Sequence, residues 1–277
     1  MTATSPRYLL KKIIKIVVCI IAACSGYKNK TNKKGLTILT YHSISNEIEP
    51  DETVNPEEFE KQLQYIKDNF KVISLEEAVE YLQTDIEKIA GSIVITFDDG
   101  HSDNYHIAYP LLKKHSFPAT IFLVSDFINS NSRKYLTPSE IHEMERNNIS
   151  FGSHTISHRI LTGLRKEEII REIRDSKDIL ESQLGQKINP FAYPVGTRAD
   201  FDDAILEIVK AHKYTCACSN VYGMNDENSD IFALNRIGIE TTDSFFIFKQ
   251  KLDGALNIMS FKDTKSFQNL KRIFFKL

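Results

Sequence analysis

Ser92-Ile93-Val94-Ile95-Thr96-Phe97-Asp98-Asp99-Gly100 is the stretch from which the fold of this chain is read. Its first six residues form a short apolar, β-branched run, the pattern of a buried strand, so two aspartates stand at a strand's C-terminal end. Taken alone, two aspartates before a glycine describe a solvated turn, because Asp and Gly favour turn geometry for conformational reasons. A second buried run, Asn148-Ile149-Ser150-Phe151-Gly152, is followed at once by Ser153-His154-Thr155-Ile156-Ser157-His158. Polar clusters at the ends of two buried strands suggest one shared rim. A catalytic zinc-type site needs three protein ligands, an open position and a separate base. Asp99, His154 and His158 can be the ligands, and Asp98 the base.

Outward from these runs, strand-like and helix-like segments alternate from Leu36 onward. Strands are expected at Leu36–Tyr41, Lys71–Ser74, Ser92–Phe97, Ala119–Val124, Ile149–Gly152, Pro190–Tyr193, Tyr214–Ala217 and Leu234–Ile239. Helices are expected at Pro56–Asn69, Leu75–Gln83, Asn104–His115, Pro138–Asn147, Lys166–Leu184, Asp202–Ala211 and Thr242–Leu252. In Lys166–Leu184 the stripe Ile169, Ile173, Leu180, Leu184 lies opposite charges, and Gly185 is placed to end the helix. This alternation predicts an α/β fold, a deformed or incomplete (β/α) barrel with its site at the C-terminal strand ends. His42, Asp98-Asp99, His154/His158 and the turn Tyr193-Pro194-Val195-Gly196 would then converge on one face. The plain alternative for His42 is a strand-end histidine bonded to a backbone carbonyl; its convergence with the cluster favours catalysis.

At 277 residues and 42% hydrophobic content the chain can bury the core of one enzyme-sized domain. The net charge of −2 conceals an asymmetry: residues 1–34 carry eight basic side chains and no acidic one, leaving −10 on the remainder. The body therefore repels phosphate, which excludes nucleic acid as a partner. In the N-terminal segment, Arg7, Lys11, Lys12 and Lys15 precede Ile16–Cys24, an apolar stretch short for a bilayer span but sufficient for a signal-peptide core. Ile21-Ala22-Ala23-Cys24 resembles a bacterial lipobox, with Cys24 the lipidated residue. The rival is a basic amphipathic helix on the inner membrane face, since Lys11, Lys12 and Lys15 interleave with Leu9, Leu10, Ile13, Ile14 and Ile16. Export or lipidation is favoured, and both readings bring the segment to a membrane. Cys216 and Cys218 fall on the same face of one strand and read as packing residues.

These residues resemble a known family. Thr96-Phe97-Asp98-Asp99-Gly100 and His154-Thr155-Ile156-Ser157-His158 are similar to the first two motifs of the NodB-homology polysaccharide deacetylases, carbohydrate esterase family 4, over roughly residues 36–252. Leu39-Thr40-Tyr41-His42-Ser43 resembles the Tyr-His opening of their biofilm-polysaccharide (poly-N-acetylglucosamine) branch. The resemblance implies a deformed barrel, removal of N-acetyl groups from amino sugars, Asp98 as general base, and a divalent ion on Asp99, His154 and His158, with zinc the default and other first-row metals acceptable. Where the family's third motif carries an arginine this chain has Ala192-Tyr193-Pro194-Val195-Gly196, and Arg236 is the candidate replacement. The family's late histidine is absent, no histidine following His212, so His42 becomes the candidate acid. A backbone N–H of the turn at Val195 is the expected oxyanion donor.

The chain thus divides into a membrane-associating segment over 1–35, a deacetylase barrel over 36–255 and a tail over 256–277. Its expected partners are an N-acetylated glycan and a membrane; the sequence leaves the oligomeric state and the particular glycan open. A non-catalytic carbohydrate-binding barrel, and a metal-dependent amidase on a non-sugar substrate, are the alternative functions.

Overall fold

Strand β5 (Ser92–Phe97) is buried along its whole length and lies at the heart of an eight-stranded parallel sheet. The computed structural model describes residues 6–24, 35–47, 52–130 and 132–257. In chain order the elements are α1 (Pro6–Cys24), β1 (Thr37–Tyr41), β2 (Ser43–Ile44), β3 (Thr53–Val54), α2 (Pro56–Asn69), β4 (Lys71–Val72), α3 (Leu75–Thr84), β5, α4 (Tyr109–His115), β6 (Ala119–Leu123), α5 (Ser125–Ile128), α6 (Pro138–Glu145), β7 (Ile149–Ser153), α7 (Lys166–Leu184), β8 (Pro190–Ala192), α8 (Asp203–Ala211), β9 (Cys216–Cys218), β10 (Ile237–Gly238) and α9 (Phe245–Leu252).

The sheet order is β10-β1-β5-β6-β7-β8-β9, with β4 a further partner of β5. Closure falls to the segment around β10. Leu234 N–H donates to the Ala217 carbonyl at 2.9 Å and the Leu234 carbonyl accepts from Ser219 N–H at 2.8 Å, while Ile237 pairs with Leu39 of β1. One short segment thus bridges the last strand to the first, and the result is the expected deformed (β/α) barrel. The strand ends are in step: Tyr41 is opposite Phe97, Phe97 opposite Ile121, and Leu123 opposite Ser153. Residues that directly follow β1, β5 and β7 therefore emerge on one rim.

Helix boundaries follow local chemistry. Asn55 and Pro56 start α2, and capping boxes Ser74/Glu77 and Thr137/Glu140 start α3 and α6. Gly185, at φ +64°, ends α7 as its sequence position predicts. The helix expected at Asn104–His115 is realised in two parts, a wide turn over Asn104–Ala108 and then α4. The strand expected at Leu234–Ile239 contracts to β10, because its first half pairs with β9 and its second with β1. Alternation did not reveal the small ladder of β2 with β3, nor α5, since two to four residues establish no period. Cys216 and Cys218 are buried, free and packed in the core.

α1 is helical, and no helix among the described residues is long and apolar enough to cross a membrane. Its docked side is specific. Lys15 is buried, with Nζ donating to Glu240 Oε2 (3.0 Å), Thr242 Oγ1 (2.8 Å) and Asp243 Oδ1 (2.6 Å). Cys19 packs with Ile247 and Leu256. The amphipathic reading counted Lys15 among cations facing lipid headgroups; that is corrected, because a cation can stay buried only against carboxylates such as these. Leu9, Leu10, Ile13, Ile14, Val17, Ile20 and Ile21 are exposed on the remaining surface. The side chain of Cys24 and most of the tail assigned to 256–277 lie outside the described residues.

Candidate active site

Asp98, the first residue beyond β5, is completely buried, which by itself would raise its pKa. Its carboxylate survives because Arg236, also buried, grips both oxygens: Nη1 to Oδ1 at 2.8 Å and Nη2 to Oδ2 at 2.7 Å. The guanidinium is fixed in turn by Nε donating to the Ser219 carbonyl at 2.7 Å and lies over the Phe122 ring, 5.5 Å from its centroid. The net result holds the Asp98 carboxyl below the usual range despite burial. Bidentate geometry makes this a fixed partnership. Arg236, the candidate replacement for the arginine absent at 192, is thus the partner of Asp98.

Asp99 follows in the left-handed region at φ +72°, a conformation continued by Gly100 at φ +70°. At that φ any L side chain at position 100 would be strained, and its Cβ would also fall 2.8 Å from the end of the Leu123 side chain, so the turn that presents Asp99 favours glycine. The rim brings Asp99 to both histidines. Its Oδ1 is 3.8 Å from His154 Nε2 and 3.5 Å from His158 Nε2, and their ligand atoms lie within 4.8 Å of one another. Two ligands about 2.1 Å from one ion at the tetrahedral angle stand about 3.4 Å apart, so the spacing fits. Two further observations support the fit. Asp99 Oδ1 is a buried oxygen without a hydrogen-bond partner, which is costly unless a cation meets it. His154 Nδ1 lies 2.8 Å from the Ala192 carbonyl and must donate to it, which leaves Nε2 with its lone pair turned to the site. Burial pushes the His154 pKa down to about 4, so the ring is a neutral ligand near neutral pH. The donor set of one carboxylate and two imidazoles suits zinc and other first-row divalent ions.

His42 directly follows β1, as predicted, and its Nε2 lies 4.0 Å from Asp98 Oδ2. Its backbone carbonyl is held by Asn104 Nδ2 at 2.8 Å, which leaves the ring partly exposed at the rim. Val195 is 43% exposed at φ +59°, a strained position for a β-branched residue. Its N–H has no acceptor among the described residues, and the turn follows Ala192, whose carbonyl fixes His154. The structure thus brings His42, Asp98, Asp99, His154, His158 and Arg236 into one cluster and places Val195 in the turn that follows β8.

Sequence reasoning missed His101 and Glu172. His101 Nε2 faces the other oxygen of Asp99, Oδ2, at 3.6 Å, and its ring stacks on Tyr135 at 5.6 Å. Burial depresses the His101 pKa, but Asp99 outweighs it and raises the net value. Its adjacency to the Asp-Asp-Gly turn was the available signal. Glu172 belongs to the inner face of α7 and contacts the loop between the two histidine ligands.

Comparison with known proteins agrees with this geometry. A model of the polysaccharide deacetylase family matches residues 85–217, which include Asp98, Asp99, His154 and His158 but neither His42 nor Arg236. The Bacillus subtilis protein YxkH, named for polysaccharide deacetylation, is 33% identical over 76% of this chain and 74% of its own length. The structure of the Streptococcus pyogenes deacetylase PplD in complex with acetate superposes with a TM-score of 0.72 at 30% identity, over 79% of this chain and 98% of that one. The poly-β-1,6-N-acetyl-D-glucosamine N-deacetylase of Staphylococcus epidermidis is 28% identical over 52% of this chain, which spans about half of that relative, 54%.

Proposed function

This chain belongs to the polysaccharide deacetylase family, and from that premise we propose that it hydrolyses N-acetyl groups from the amino sugars of a cell-surface or precursor polysaccharide, using one divalent metal ion. The observation that carries the reading is the division between Asp98, locked as a carboxylate by Arg236, and Asp99, whose free oxygen joins two imidazoles. A barrel that only binds carbohydrate has no need of a buried, charge-compensated base beside a ligand set. The S. pyogenes relative's acetate complex, and the poly-N-acetylglucosamine substrate named for the S. epidermidis relative, support acetyl removal and that substrate class.

Asp99, His154 and His158 would hold the ion, whose contribution is Lewis-acid polarisation of the acetyl carbonyl and a lowering of the pKa of water from about 15.7 toward roughly 7. Asp98 accepts the proton of the attacking water, and Arg236 keeps the carboxylate oriented as it does so. Val195 N–H donates to the oxyanion that develops on the acetyl carbonyl, a contribution of about 3 kcal/mol for a well-placed donor. His42 then gives a proton to the departing amine. The direct test is acetate release from a panel of N-acetylated glycans by zinc-loaded protein. Release from acetylated non-sugar amides alone would replace this reading with that of an amidase.

Alanine at His154 or His158 should abolish stoichiometric zinc, measured by elemental analysis of purified protein; a mutant as metal-loaded as wild type would reject the ligand set. His42→Ala should keep zinc and fold while lowering amide turnover by roughly 10²–10⁴-fold. An aryl acetate, whose phenolate departs without protonation, should be hydrolysed by the same variant at close to the wild-type rate. Equal losses on both substrates would remove His42 from the role of acid.

We further propose that the N-terminal segment holds the enzyme at a membrane. The acid-free basic sequence and the exposed apolar residues of α1 support attraction to an anionic lipid surface. Mass spectrometry of protein from its native host distinguishes the two forms of anchorage: a diacylated or triacylated Cys24 at the mature N-terminus would mean that α1 has been removed and that the lipid is the anchor. An intact Met1-Thr2 start on membrane-bound protein would instead favour the amphipathic helix.

A further inference from the structure

The two histidine ligands are carried by a loop whose backbone is under strain. Thr155 adopts φ +69° and His158 φ +59°, in the left-handed region that a β-branched residue such as Thr155 avoids. Such a residue persists only where the surroundings impose it. Within the loop the Thr155 side chain accepts from His158 N–H at 3.1 Å. From one side Ser125 N–H donates to Thr155 O at 3.2 Å and Asp126 N–H to Ile156 O at 2.9 Å. These contacts satisfy carbonyls and leave the N–H groups of Ile156 and Ser157 to be met from elsewhere.

Glu172 meets them. Its Oε2 accepts from Ile156 N–H at 2.9 Å and from Ser157 N–H at 3.0 Å, and its Oε1 accepts from Ser157 Oγ at 2.6 Å. The side chain is 5% exposed, and no lysine or arginine pairs with it among the described residues. The loop thus supplies three donors to this buried carboxyl group. One helical turn further along α7, Ser176 Oγ lies 2.7 Å from Ser153 Oγ, at the end of β7 immediately before His154. α7 thus fixes the ligand-bearing segment at its start through Ser176 and at its middle through Glu172.

We propose that Glu172 is a positioning residue for the metal centre: by binding the Ile156 and Ser157 amides it imposes the loop conformation that sets His158 at ligand distance from Asp99 and His154. The inference rests on the metal-site reading above. Glu172 touches neither ion nor substrate, and it acts through the loop. Groups of this kind around a metal site are worth about 10–100-fold in metal affinity.

The test is zinc affinity, measured by competition with a chromogenic chelator on the full-length protein, together with the visible spectrum of the cobalt(II)-substituted form. Glu172→Met, equal in bulk but without acceptors, should weaken zinc binding about 10–100-fold and alter the cobalt band pattern, with the metal-free protein still folded by circular dichroism. Glu172→Gln keeps an oxygen for the two amides and should restore affinity to within about threefold of wild type. Should the methionine variant fail to fold, Glu172→Asp decides. It keeps the charge but withdraws the oxygens, and it should bind zinc more weakly than the Gln variant. Wild-type affinity and an unchanged cobalt spectrum in the folded Met or Asp variant would overturn the proposal. Failure of the wild type itself to take up zinc would instead overturn the metal-site reading on which it rests.

Discussion

Asp98→Asn is expected to purify with its zinc and to lose roughly 10²–10⁴-fold in acetate release, the range for removal of a general base. The amide has the shape of the carboxylate but cannot accept a proton from water at neutral pH. Arg236 would meet one amide oxygen and one NH2 group where it now meets two oxygens, 2.8 and 2.7 Å from its nitrogens, so a measurable fall in stability should accompany the loss of rate. Asp99→Asn should behave differently and lose the ion as well, since Asp99 Oδ1 faces both histidines. Elemental analysis of the two variants beside acetate assays separates base from ligand. Equal metal loss in both would reject the division of labour.

Arg236→Met should be strongly destabilising. It leaves a buried carboxylate without its partner, which costs about 3–5 kcal/mol. The sign of the pH effect follows. In the wild type the Asp98 carboxyl is held below its ordinary value of 3.8, so the stability it contributes is present above that value and is lost as pH falls through the lower, folded-state one. Without Arg236, burial dominates and raises the pKa, so Asp98 takes up a proton at higher pH. The acidic limb of the rate profile should therefore move toward alkaline pH, and the variant should regain part of its activity as pH rises. Arg236→Lys should fall between, because one ammonium cannot reproduce the two parallel bonds. Chemical denaturation and a pH–rate profile check both statements. A methionine variant with wild-type stability and an unmoved acidic limb would mean that Arg236 does not govern the base.

Much of the architecture is carried by short-range pattern. Ser92–Phe97 and Ile149–Gly152 are apolar runs of strand length, and α2 and α7 follow helical periodicity with their caps in place, so their boundaries are legible to within a residue. Because motif residues immediately follow such strands, the rim holding His42, Asp98, Asp99, His154 and His158 was legible too. What remained hidden depends on groups distant in the chain. Arg236 could be named as a candidate, but its pairing with Asp98, 138 residues away, exists only because the segment around β10 turns back beside β1. Glu172 looks like an edge of the charged face of α7. Only the packed loop supplies the amides that make it a buried ligand-positioning group. Lys15 likewise reads as a surface cation until Glu240 and Asp243 are brought to it. The left-handed backbone at Thr155 and Val195 has no marker in residue type, since β-branched residues ordinarily avoid it. Periodicity and capping are decided by neighbours within a turn or two, and the sequence by itself determined them. Charge compensation, ligand spacing and backbone strain are decided by which surfaces meet when the barrel closes, and only the tertiary structure decided those.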